Sequence, residues 1–125
     1  MIKIVMLIGM GSFAGGVARY GVSRFVTAVC GHPTMWGTFA ANVTGCFLIG
    51  LLYGLFERTG NVEEHWRLFL TVGFCGGFTT FSTFAHESYA GLTDGRFLAT
   101  ALYAGLSLTA GLGAVYLGHL LVRNG

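Results

Sequence analysis

The sequence predicts an all-α integral membrane protein: four transmembrane helices, the third broken at mid-membrane, assembled as an antiparallel, dual-topology homodimer. Three observations lead there. Only 10% of the 125 residues are charged while 54% are hydrophobic, against roughly a quarter charged in an ordinary soluble domain. Four apolar tracts place the spans at about residues 4–29, 35–56, 68–92 and 97–119, in a single domain of residues 1–125. With both termini on one side, that side carries Lys3, Arg58, Arg67 and Arg123 and the other Arg19, Arg24 and Arg96. A 4 to 3 split gives almost no orienting excess, so the chain is expected to insert both ways.

The first tract has a signal peptide as its competing reading, because Lys3 precedes an apolar run. That run continues through Gly15, Gly16 and Arg19 with no small-residue cleavage site, so a helix is expected instead. Residues 35–56 and 97–118 are free of charge over 22 positions each. At about 1.5 Å per residue that spans the roughly 30 Å hydrocarbon core. Connections are expected at 30–34, 57–67 and 93–96, where Gly31 and Pro33, Gly60 and Asn61, and Asp94 and Gly95 stand as breakers. The three cysteines, Cys30, Cys46 and Cys75, show no paired or metal-ligand spacing and read as packing residues. The early Gly9-Met10-Gly11 run lacks the surrounding βαβ unit that a dinucleotide site needs.

Glycine supplies 21 of the 125 residues. Pairs at four-residue spacing, Gly11/Gly15, Gly50/Gly54 and Gly73/Gly77, let helix backbones approach closely in lipid. Packing within one subunit accounts for any single pair; their density favours a tight assembly. Four helices alone hardly enclose a polar path, which also asks for a homodimer.

Polar residues far from either interface carry the functional signal. Asn42, with Thr38 one turn before it, fits either an interhelical hydrogen bond or a donor on a solute path. Thr100, Tyr103 and Ser107 form a hydroxyl stripe on the fourth span, with Gly111 one turn on. Arg19 either snorkels to the headgroups or attracts anions at a vestibule. Glu87 is the only acidic candidate inside a span, and this scarcity argues against a proton-coupled cation exporter.

The densest polar signal is GFCGGFTTFSTF, residues 73–84. Gly73, Gly76 and Gly77 followed by Thr79 and Thr80 favour a helix that unwinds, glycine admitting unusual backbone angles there. Freed carbonyls at that depth need protein, water or an ion, and carbonyl oxygens without carboxylates suit a hard monovalent cation such as Na+. Phe74, Phe78, Phe81 and Phe84 follow a helical spacing. That is either a packing stripe or a set of electropositive ring edges facing an anion.

This stretch, with Gly37-Thr38-Phe39-Ala40-Ala41-Asn42 and Gly15-Gly16-Val17-Ala18-Arg19-Tyr20, resembles the Fluc fluoride-channel family, also called CrcB, over essentially the whole chain. The resemblance implies a passive, fluoride-selective channel in the bacterial plasma membrane that confers fluoride resistance, with no enzymatic activity and no nucleic-acid partner. It further implies an antiparallel homodimer with two pores and a structural Na+ at its centre. By position, Phe81 and Phe84 would be the pore phenylalanines and Asn42 the amide of the polar track. Ser82, Thr83, Tyr103 and Ser107 would line the path, with Thr38 and Glu87 close by. Arg19 would stand at a vestibule, and Gly76 and Thr79 would give main-chain carbonyls to Na+. Two departures stand out: Gly111 where relatives can carry a hydroxyl, and Phe78 where leucine is common. The alternatives are a small dual-topology, proton-coupled multidrug exporter and a non-transporting membrane assembly subunit.

Overall fold

The computed structural model describes all residues except 32–34, 61 and 125, with the side chain of 124 also left out. Pro33 and Asn61, expected in the first two connections, lie outside the described residues. The elements are α1 (Ile2–Cys30), α2 (Trp36–Thr59), α3 (Glu64–Leu68), a π-helical segment (Phe69–Cys75), α4 (Gly76–Phe78), α5 (Ser82–Thr93) and α6 (Phe97–Asn124). From α3 to α5 they make one broken span, so among the described residues four segments are long and apolar enough to cross a membrane.

Helices run further into the connections than composition suggests. α2 continues to Thr59, where its last turn carries Glu57, paired with His119 at 3.1 Å, and Arg58, whose Nη1 donates to the Val122 carbonyl. Charges end the apolar tract but not the helix, because at headgroup level they need only face water or a neighbour. α1 and α2 stop at Gly31 and Gly60, both at positive φ (84° and 73°), whose N–H groups close the helices on Thr27 and Phe56. Only glycine takes that left-handed cap without strain.

α2 packs along α6, and α1 packs on the first half of the broken span, while α5 rests mainly on α6. Glycines set these approaches. On α1 only Gly11 and Gly15 are buried. A Cβ at Gly11 would lie 2.6 Å from the Phe69 carbonyl, and one at Gly77 would lie 2.6 Å from that of Ser12. Gly50 meets Val115 in the same way, and Gly54 meets His119 and Val122. All three glycine pairs named above are thus used inside one chain, and they carry no information about a second copy. The opposite face of α1, with Val5, Met6, Phe13 and Val17, is exposed and suited to lipid.

The third span departs from expectation in two ways. Most of its first half is a π-helix, in which each N–H reaches back five residues; Thr71 Oγ1 donates to the Arg67 carbonyl at 2.6 Å. The glycines, moreover, are not where the helix breaks. Gly76 has ordinary helical angles (φ −63°, ψ −36°) and none of the glycines in 73–77 has positive φ. The chain leaves the helix at Thr79, which is extended (φ −88°, ψ 158°). Gly73 and Gly77 serve close approach to α1, and the threonines make the break.

Candidate functional site

Stopping a helix at Phe78 strands backbone groups in mid-span, and each must find a partner. The Asn42 side chain supplies two: its Oδ1 accepts from Thr80 N–H at 2.7 Å and its Nδ2 donates to the Thr80 carbonyl at 2.9 Å. Arg19 Nε donates to the Gly77 carbonyl at 3.2 Å. Thr79 closes on the Cys75 carbonyl with both its N–H (3.0 Å) and its Oγ1 (2.9 Å). Thr80 Oγ1 accepts from Thr83 N–H at 3.2 Å, so its side chain holds the first turn of α5 while its peptide is clamped by Asn42. Among the described residues no donor is directed at the carbonyls of Gly76, Phe78 or Thr79.

Beside the break lies a cavity of about 430 Å³ between α2, α6 and the broken span. Asn42, Gly76, Thr79, Thr80, Phe81, Phe84 and Ser107 are among its walls, and Gly111 widens it next to Cys46. Thr71, Thr79 and Thr80 line it too, but their hydroxyls are engaged in hydrogen bonds. Ser107 is also on the wall, and its Oγ is buried with no partner among the described residues. The rings of Phe81 and Phe84 tilt against one another at 5.9 Å, and Phe81 is 78% exposed at the open side.

A second group sits behind Phe84. Tyr103, fully buried, donates from its hydroxyl to Glu87 Oε1 at 3.0 Å. The Thr38 hydroxyl reaches the same phenol oxygen, and the Phe84 ring lies 5.2 Å from that of Tyr103. Phe84 therefore touches both the cavity and this buried polar cluster. Among the described residues no three His, Cys, Asp or Glu side chains converge as a metal site, so a cation beside the break would rest on carbonyl oxygens.

A family model described as "CrcB-like protein, Camphor Resistance (CrcB)" matches residues 6–119. The chain belongs to the CrcB family. Relatives named "Fluoride-specific ion channel FluC" match nearly end to end. The Leptospira interrogans protein is 37% identical over 122 residues, covering 98% of this chain and 96% of its own. The Chlorobaculum tepidum protein is 44% identical over 124 residues (98% and 97%). That of Methanococcus maripaludis is 43% identical over 117 residues (93% of each).

In this CrcB chain the residues singled out from sequence do not all share one place. Asn42, Phe81, Phe84, Ser107, Gly76 and Thr79 share the cavity. Thr38, Tyr103 and Glu87 form the cluster behind it. Ser82 and Thr83 belong to the start of α5, their hydroxyls 3.3 Å from Thr80 Oγ1. Arg19 stands on the Gly77 carbonyl, within the protein and at the break. Phe74 and Phe78 stack at 5.8 Å with Phe78 buried, which is packing. Sequence reasoning missed Thr80 as the pivot of the site; a Thr whose hydroxyl can take an N–H three residues on, just before a helix restarts, is the local signal that marks it.

Proposed function

We propose that the chain is a fluoride-selective channel that lets cytoplasmic fluoride leave the cell down its electrochemical gradient. The observation that carries this reading is the cavity beside the break, which Asn42, Phe81, Phe84 and Ser107 line together and which has no charged side chain among its described lining residues. The printed names of the FluC relatives supply the ion. Fluoride is small and strongly hydrated, so a path must replace its water with donors and positive ring edges, without a fixed cation that would hold it. An inside-negative potential of 100 mV drives an anion outward by about 2.3 kcal/mol, roughly a fifty-fold concentration ratio. Passive flow suffices.

The same reading has two chains assembling antiparallel around a structural Na+. Supporting it are the carbonyls of Gly76 and Thr79, which lack donors and fit an oxygen-ligated monovalent ion, the exposure of Phe81, and the balanced Lys/Arg count. Bound there, Na+ would neutralise the carbonyl dipoles that the break leaves unpaired. Arg19 and Asn42 take the neighbouring Gly77 and Thr80 carbonyls out of contention.

Expression in bacteria that lack their own fluoride export tests the function: the chain should restore growth in fluoride. Phe81→Ile should abolish the rescue while Phe69→Ile keeps it, since Phe69 packs edge-on against Trp66 away from the cavity. Equal behaviour of the two variants would mean that the phenylalanines are packing only. Ser107→Ala should lower flux about 2- to 10-fold, the worth of one hydrogen bond of about 0.5–1.5 kcal/mol to the ion in transit. Its unfolding temperature should stay unchanged, because no protein partner among the described residues is lost. Paired flux and melting measurements check both parts.

A further inference from the structure

A second cavity, of about 400 Å³, opens on the side of the broken span away from Ser107, between the starts of α1 and α3. Leu7, Met10 and Phe69 form its apolar wall, and Lys3, Glu63 and His65 stand at its lip. Lys3 to Met10 is seven residues of α1, about 10 Å along the axis. The cavity therefore runs from headgroup level into the first methylenes of the acyl region. Trp66, 60% exposed and edge-on to Phe69 at 6.0 Å, makes the side wall at the depth where tryptophan anchors to an interface.

The lip carries both signs of charge. Glu63 Oε1 lies 2.7 Å from His65 Nδ1, and this hydrogen bond holds the Glu63 carboxyl below the usual carboxylate range, helped by the charge of Lys3. Glu63 is therefore anionic at neutral pH, at the lip of an apolar slot and within electrostatic reach of a lysine. We propose that this cavity binds one phosphatidylethanolamine: phosphate on Lys3, primary ammonium on Glu63, and an acyl chain against Leu7, Met10 and Phe69. Charge complementarity selects that headgroup. Phosphatidylglycerol brings no cation for Glu63, and the methylated ammonium of phosphatidylcholine has no N–H to donate to a carboxylate. The site is independent of the ion path and of the proposed function.

Native mass spectrometry of the full chain in detergent with equimolar phosphatidylethanolamine, phosphatidylglycerol and phosphatidylcholine provides the test. Phosphatidylethanolamine adducts should exceed each of the others about 2- to 5-fold, the range of an exposed ion pair. Glu63→Gln should bring phosphatidylethanolamine down to the level of phosphatidylglycerol, and Met10→Trp, which fills the slot, should remove all three. Equal retention by the wild-type chain, or a preference that survives Glu63→Gln, would overturn the site and leave only annular lipid. A bilayer measurement covers the case of a variant that does not fold. In Trp36→Phe, which leaves Trp66 as the only tryptophan, brominated phosphatidylethanolamine should quench fluorescence more than brominated phosphatidylcholine at equal mole fraction. Equal quenching would likewise overturn it.

Discussion

Asn42→Ala is expected to abolish fluoride flux and, in the same protein, to lower the unfolding temperature. The side chain clamps Thr80 through both its N–H and its carbonyl, at 2.7 and 2.9 Å. Truncation leaves a donor and an acceptor unpaired in a part-buried site within a span, at about 1–3 kcal/mol each. With its peptide released, Thr80 no longer holds the first turn of α5, so Phe81 and Phe84 lose their placement on the cavity wall. Thr44→Ala, two residues on and exposed, serves as the control and should leave both quantities unchanged. Thermal unfolding in detergent, run beside efflux assays, checks the pairing of effects. A loss of flux at unchanged stability would reduce Asn42 to an ion-contacting donor and remove its role in holding the break.

The second large effect falls on assembly of the fold. Gly15→Val should destabilise the chain strongly and Gly16→Val should not, although the two residues are adjacent. A Cβ on Gly15 would land on the Phe74 carbonyl and 2.8 Å from the backbone nitrogen of Phe78, whereas one on Gly16 meets nothing within 4 Å. Backbone atoms cannot rotate aside as a side chain can, so α1 must move off the broken span. Overpacking of this kind costs about 1–3 kcal/mol, while substitution at an open position stays within about 0.5 kcal/mol. Yield of monodisperse protein and midpoint of unfolding read the difference. Because Arg19 reaches the Gly77 carbonyl from α1, displacement of α1 should also depress flux.

The spans were legible because their signal is compositional: long uncharged tracts in a chain with few charges leave one solvent open to them. Placement of Asn42, Phe81, Phe84 and Ser107 around one space rested on a family resemblance, since spacing alone left the phenylalanines as readily packing as functional. The partner of Asn42 was not legible. Thr80 lies 38 positions away, and no local pattern couples an amide to a particular peptide across two helices. The glycines misled for a physical reason. Their lack of a side chain serves either unusual angles or close approach, and only the position of α1 against Gly73 and Gly77 decides between them. Arg19 was similarly ambiguous, because a guanidinium within a span can reach outward to headgroups or inward to a carbonyl, and here it reaches the carbonyl of Gly77.

Copies of this one polypeptide, with no other protein, should make a fluoride path. The most direct test is ion efflux from liposomes reconstituted with the purified chain alone, loaded with potassium fluoride or potassium chloride and triggered by a potassium ionophore. Rapid release of fluoride with chloride retained is the predicted result. No fluoride release, or chloride leaving as fast, would mean that the chain is not a fluoride-selective channel.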